Sequence, residues 1–318
     1  MSDVHSTPGS RWFFTVDVED YYHIEAARHV YFQDRWGQFP TRAEPNTQKL
    51  LDLLARHGIR GTFFVLGHVA KRKTHLAARI ADAGHEVACH GTMHDRLHRL
   101  GPKRFREDVE YTRRMLEDQT GRPVRGYRAP TFSLTRETAW ALDVLVELGL
   151  DYDASIFPAW HPQYGIADAP RRAFFARTAP DSRAILEVPP LVWQAMGRRV
   201  GVAGGGYFRQ LPLTFMKAGM RQAQRAARPI VLYFHPWEFD PDMPKVKMGF
   251  KARWRTYTGL ARAEQRLDAL LQWTSRHAAH WSPIADALPA LRAEAEQHPV
   301  FSLGQAARTP ALPQPLAA

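Results

Sequence analysis

From residue 11 onward, short runs rich in β-branched and aromatic residues alternate with longer amphipathic stretches. That alternation is the pattern of βα units winding into a mainly parallel sheet or barrel. The first strand is predicted over 12–18, Trp-Phe-Phe-Thr-Val-Asp-Val. A helix follows over 47–57, where Leu50, Leu51, Leu53 and Leu54 fall on one face and Gly58 ends it. The alternation predicts further strands over 61–66, 86–90, 124–128, 152–156 and 229–235, and helices over 69–83, 102–118, 136–148 and 259–277. Between 157 and 228 the pattern loosens into proline-punctuated segments, with a strand at 186–188 and a turn at Gly204-Gly-Gly206. This predicts an elaboration lying over the barrel and not an independent domain. The expected architecture is a single α/β domain over 11–285, a distorted (β/α) barrel, between a flexible start at 1–10 and a mostly flexible tail at 286–318.

Of the 318 residues, 45% are hydrophobic and 24% charged, which excludes a tail, a collagen or a repeat array. The single cysteine, Cys89, excludes an intrachain disulfide and an all-cysteine zinc site, so any metal must be held by His, Asp and Glu. Lys and Arg exceed Asp and Glu by 43 to 32, a net charge of +11 that attracts polyanions. The arginines are spread as pairs, without a helix-turn-helix or an aromatic–basic RNA signature, and nucleic acid is not an expected partner. The polar start and the lack of any apolar run near 18 residues predict neither a signal peptide nor a membrane span. The expected location is the cytoplasm, with weak peripheral attraction to an anionic membrane face.

Chemistry-bearing residues collect at the carboxyl ends of the predicted strands. They are Asp17, Glu19 and Asp20 after the first, His90 and His94 after the third, Arg128 after the fourth, Asp153 near the fifth and His235 after the last. In a parallel barrel those ends meet on one face, where active sites are built. His90 and His94 have the spacing to reach one ion if the chain turns helical after His90. Three carboxylates within four residues repel one another unless a cation relieves them, and they offer a third ligand and a spare base. Arg128 is placed to hold Asp17 through a bidentate pair. His235 emerges from a buried strand, and Asp153 is the expected partner of its imidazole.

In this order the residues resemble the NodB-homology polysaccharide deacetylases, also grouped as carbohydrate esterase family 4. The motifs stand as Thr15-Val-Asp-Val-Glu-Asp-Tyr21, His90-Gly-Thr-Met-His94, Arg128-Ala-Pro130, Asp153-Ala-Ser155 and Leu232-Tyr-Phe-His235. Val16 to Tyr22, Gly126 to Pro130, Gly204 to Phe208 and Phe234 to Glu238 resemble more closely the subfamily associated with exosortase and exopolysaccharide gene clusters, whose extra C-terminal segment corresponds to 238–285. The first motif departs from the family's two adjacent aspartates. Asp17 keeps the base position, and Glu19 is the preferred ligand, with Asp20 the alternative.

The resemblance implies a hydrolase that removes N-acetyl groups from amino sugars of an exopolysaccharide or a lipid-linked precursor. It also implies a divalent ion, with zinc expected, on His90, His94 and Glu19 or Asp20. Asp17 would be the base, oriented by Arg128; His235, tuned by Asp153, the acid; and the Thr131 N–H an oxyanion donor. Tyr22, Trp160, Tyr207 and Trp237 are candidate sugar-stacking aromatics. Two rival readings are a same-fold hydrolase of a small cyclic amide or imide and a non-catalytic glycan-binding protein.

Overall fold

The computed structural model describes residues 11–277 and 279–304. Its strands are β1 (Arg11–Val18), β2 (Thr62–Val65), β3 (Glu86–Cys89), β4 (Gly126–Tyr127), β5 (Tyr152–Asp153), β6 (Phe174–Arg177), β7 (Ile185–Glu187), β8 (Val192–Ala195), β9 (Arg198–Gly201), β10 (Ile230–Phe234), β11 (His280–Trp281) and β12 (Phe301–Ser302). The main sheet has the order β10-β1-β2-β3-β4-β5-β7-β6-β12, with β11 also pairing β1, and β8 and β9 form a separate hairpin. Every pairing in the main sheet is parallel except β6 with β7. This is the mixed α/β architecture the alternation predicts; among the described residues no pairing joins the β10 and β12 edges into a closed barrel.

The predicted helix over 69–83 is two helices, Gly67–Arg72 and Leu76–Asp82, parted where Lys73 leaves helical geometry. Along β1 the side chains alternate with period two. Trp12, Phe14, Val16 and Val18 join the large core beneath the helices, whereas Phe13 joins a second core with Phe64, Ala88, Tyr152, Leu186 and Val231. Thr15 and Asp17 share the Phe13 face by the same period, so Asp17 stands on the inner face at the carboxyl end of the sheet.

The tail expected from 286 requires correction. Residues Ile284–Glu296 form a helix that buries Ile284, Ala287, Leu288, Leu291 and Ala295 at helical spacing against the second core, and residues 301–302 add β12 to the sheet. The amides of Ile284 and Ala285 donate to Thr62 and Glu86, which begin β2 and β3. This helix therefore covers the amino end of the sheet, opposite the strand ends that carry the chemistry. The flexible start expected at 1–10 and the rest of the expected tail, 305–318, lie outside the described residues.

Candidate active site

The carboxyl ends of β1, β3, β4 and β10 bring Asp17, Glu19, His90, His94, Arg128 and His235 together. Glu19 Oε1 lies 3.0 Å from Nε2 of His90 and 3.0 Å from Nε2 of His94. All three side chains are buried. The histidines converge through a loop and not through the helical turn expected after His90. Gly91 at φ +74° and His94 at φ +52° turn the chain back, and the Thr92 amide is held by the Asp108 carboxylate at 3.1 Å. A Cβ at Gly91 would meet that carboxylate at 2.8 Å, so no larger residue fits between the two histidines there.

His90 Nδ1 lies 2.8 Å from the carbonyl of Arg128, which only accepts, so Nδ1 carries a hydrogen and Nε2 is the ring nitrogen that faces Glu19. That nitrogen and the Glu19 carboxylate can both serve as ligands to a cation placed between them. Two imidazole nitrogens and one carboxylate oxygen, all within 4.8 Å of one another, form the donor set that suits a divalent transition metal. Burial pushes the Glu19 carboxyl up, but His94, His235 and the hydrogen bonds from His90 and His94 outweigh it and hold it well below the usual range.

Asp20 is not part of this cluster. Its carboxylate accepts from the Thr41 hydroxyl at 2.6 Å and from the amides of Tyr21, Arg42 and Ala43, which pins the start of the helix Ala43–Arg56. That correction leaves Glu19 as the first-motif carboxylate facing the histidines.

Asp17 and His235 stand on the other side of Glu19. Arg128, fully buried, gives Nη1 to Asp17 Oδ1 and to Thr15 Oγ1, each at 2.7 Å, and Nε to the Ala154 carbonyl. The expected bidentate pair is therefore a single contact: the backbone takes Nε, and Nη2 has no hydrogen-bond partner among the described residues. Its Cζ lies 4.1 Å from the centre of the Phe64 ring, a desolvated cation–π contact. His235 Nε2 lies 3.8 Å from Asp17 Oδ2 and 4.0 Å from Glu19 Oε1. The His235 side chain is 17% exposed, against 5% or less for its five neighbours in the site, so approach from solvent is over His235.

The partner of His235 is Glu238, whose Oε2 lies 3.3 Å from Nδ1 and also accepts the His235 amide. Glu238 is in turn paired with buried Arg209, Nε to Oε1 at 2.9 Å. Burial opposes the charged ring, yet Glu19, Glu238 and Asp17 push His235 up to about 9. Asp153, expected in this role, lies elsewhere. Its Oδ1 accepts from Ser155 at 2.5 Å, and it faces Glu187, whose carboxyl is pushed well up by burial and by the Asp153 charge beside it. The sequence signal for Glu238 is an acid three residues after the histidine, where the chain turns into a 3-10 helix and that spacing brings the carboxylate back to the ring.

Thr131 and Phe132 both adopt positive φ, +57° and +49°, directly after Pro130. A β-branched residue in that region is strained, and such strain clusters at functional sites. Of the four aromatics, Tyr22 is 1% exposed, with its hydroxyl taking an Arg72 hydrogen bond, and belongs to an aromatic core; it offers no face to a sugar. Trp237 is also buried and stacks on His235 at 5.2 Å between ring centres, so it supports the ring from behind. Trp160 is 75% exposed and Tyr207 half-buried. Gly204 is pressed on the Tyr233 carbonyl, where a Cβ would lie 1.6 Å from the oxygen; only glycine can bring this loop beside β10.

A mixed α/β sheet with three histidines and two carboxylates at its carboxyl edge describes a candidate metal-site hydrolase. Residues 29–152 match the family model of polysaccharide deacetylases, and residues 154–288 match that of a domain of unknown function, DUF3473. The peptidoglycan-N-acetylglucosamine deacetylase of Bacillus cereus is 30% identical over 98 residues, 30% of this chain and 36% of the relative. The chitooligosaccharide deacetylase of Sinorhizobium fredii is 44% identical over 71 residues, 22% of this chain and 30% of the relative. The chain thus spans about a third of the length of these curated relatives. The crystal structure of a candidate polysaccharide deacetylase from Mycobacterium smegmatis superposes with a TM-score of 0.64 at 20% identity, covering 96% of this chain and 97% of that one. The family model over 29–152 and the curated relatives both liken this chain to polysaccharide deacetylases.

Proposed function

We propose that the protein is a metal-dependent deacetylase that removes N-acetyl groups from amino sugars of an exopolysaccharide or of its lipid-linked precursor. The observation that carries this reading is the convergence of Glu19, His90 and His94 on one point, with Asp17 and His235 beside it. Glu19, His90 and His94 would hold the ion, zinc being the one such a donor set favours. When bound, it supplies Lewis-acid polarisation of the acyl carbonyl and lowers the pKa of water.

The chain's own groups then divide the proton work. Asp17 Oδ2, left free by the single contact of Arg128 to Oδ1, accepts the proton of the attacking water. His235, backed by Glu238 and Trp237, returns a proton to the departing amine as the C–N bond breaks. The backbone N–H of Thr131, fixed by its strained φ, is the oxyanion donor. Trp160 and Tyr207 remain as ring-stacking surfaces for the sugar. The link to exopolysaccharide synthesis rests on the likeness of Phe234-His-Pro-Trp-Glu238 and the Gly204 motif to the exopolysaccharide-associated subfamily. Acetate release from a panel of acetylated glycans, measured with and without a chelator, tests this. Chelator-sensitive release on an amino-sugar polymer is expected, and no release from any of them would sink the reading.

A further inference from the structure

Between Asp242 and Glu264 the chain carries six cations and no acid. The segment is fastened by alternate residues. Val246, Met248 and Tyr257 pack against the aromatic core that holds Tyr21, Tyr22 and Trp36, and the Tyr257 hydroxyl takes the Val246 amide at 2.9 Å. Lys245, Lys247, Lys251, Arg253 and Arg255 are left in solvent. None of these five makes an ion pair among the described residues.

On the helix Phe250–Tyr257, Phe250 and Trp254 stand four residues apart on one face, 83% and 52% exposed. A phenyl ring so exposed beside a tryptophan and five unpaired cations is an arrangement that water alone disfavours. We infer that this face is a docking surface for an anionic lipid bilayer. Headgroup phosphates match the unpaired cations, and the headgroup–acyl boundary takes up Phe250 and the Trp254 ring while its N–H stays in the interface. An anionic glycan would satisfy the cations and leave Phe250 in water, so the pairing of the two features favours the membrane.

The docking helix is tied to the site by one side chain. Arg209 donates to the carbonyls of Arg255, Thr256 and Thr258 at 2.6–3.1 Å, and the same guanidinium holds Glu238 behind His235. The carboxyl end of the docking helix is thereby joined, through Arg209 and Glu238, to the histidine that opens the site to solvent.

The test is co-sedimentation of the full chain with vesicles of phosphatidylcholine alone and with about a third phosphatidylglycerol. The paired variants Phe250→Ser/Trp254→Ser and Lys251→Glu/Arg253→Glu are run in parallel. Binding to the anionic vesicles only, weakened about tenfold or more by either pair and by about 0.5 M salt, is expected. Thermal unfolding of both variants should match that of the parent. Equal partition onto both vesicle types, or variants that bind as the parent does, would overturn the inference. So would retention on an alginate matrix with no vesicle binding, which would assign the face to a glycan. Vesicle binding requires no turnover, so this result stands apart from the deacetylase reading.

Discussion

Glu238 Oε2 sits 3.3 Å from Nδ1 of His235 and accepts the backbone N–H of the same residue, so one carboxylate sets both the ring and the strand end that carries it. Replacing the charge while keeping the shape, Glu238→Gln, should lower kcat by about 10- to 100-fold with KM little changed. Steady-state kinetics on a soluble acetylated oligosaccharide checks this. Arg209→Met alone strands the Glu238 carboxylate in the interior and should cost about 3–5 kcal/mol in urea unfolding. The double variant Arg209→Met/Glu238→Gln should recover much of that loss.

Metal content follows from the ligand set. The purified protein should hold about one divalent ion per chain, and His94→Ala should reduce that content by at least about tenfold. Elemental analysis beside circular dichroism reads both content and fold. Full retention of the ion in His94→Ala would exclude that residue as a ligand.

Asp17→Asn keeps an acceptor for Arg128 but removes the proton acceptor facing His235. Turnover should fall by about 10²- to 10⁴-fold while the ion content is kept. A variant with parental turnover would remove Asp17 from the chemistry.

His85 gives a pH prediction away from the site. Its Nδ1 accepts the Gly61 amide at 3.0 Å, which a protonated ring cannot do, and burial, with Arg60 nearby, pushes it down to about 4. The unfolded ring titrates near 6.5, so between about 6.5 and 4 the unfolded chain binds the extra proton. The stabilisation is complete above that window and is lost as pH falls through it, by up to about 3 kcal/mol. His85→Gln keeps an acceptor without titrating, and its urea midpoint should fall less between pH 7 and pH 4.5 than the parent's.

The site was legible where one strand carries the signal by itself. The period of two along β1 aims Asp17 inward, and the apolar run of β10 delivers His235 to the mouth. What was not legible depends on loops. Asp20 looks identical to Glu19 in sequence, but only the fold shows that it caps the helix beginning at Ala43. Asp153 follows the fifth strand as expected, yet β7 slots beside β5 and presents Glu187 to it. Tyr22 looks like a platform until the 3-10 turn at 21–23 folds it under Trp36. Helix 284–296 was hidden because Pro289 interrupts an otherwise regular apolar spacing.

The two family models abut at residue 153, which lies within β5, between β4 and β7 in the middle of the main sheet. The first match contains His90, His94 and Arg128, the second contains His235 and Glu238, and Asp17 and Glu19 precede both. A cut at that boundary would therefore divide the chemistry as well as the sheet, leaving each piece with an unpaired strand edge and half of a reaction centre. Each fragment should be inert and prone to aggregate alone, and activity regained when both are made in one cell would report their reunion.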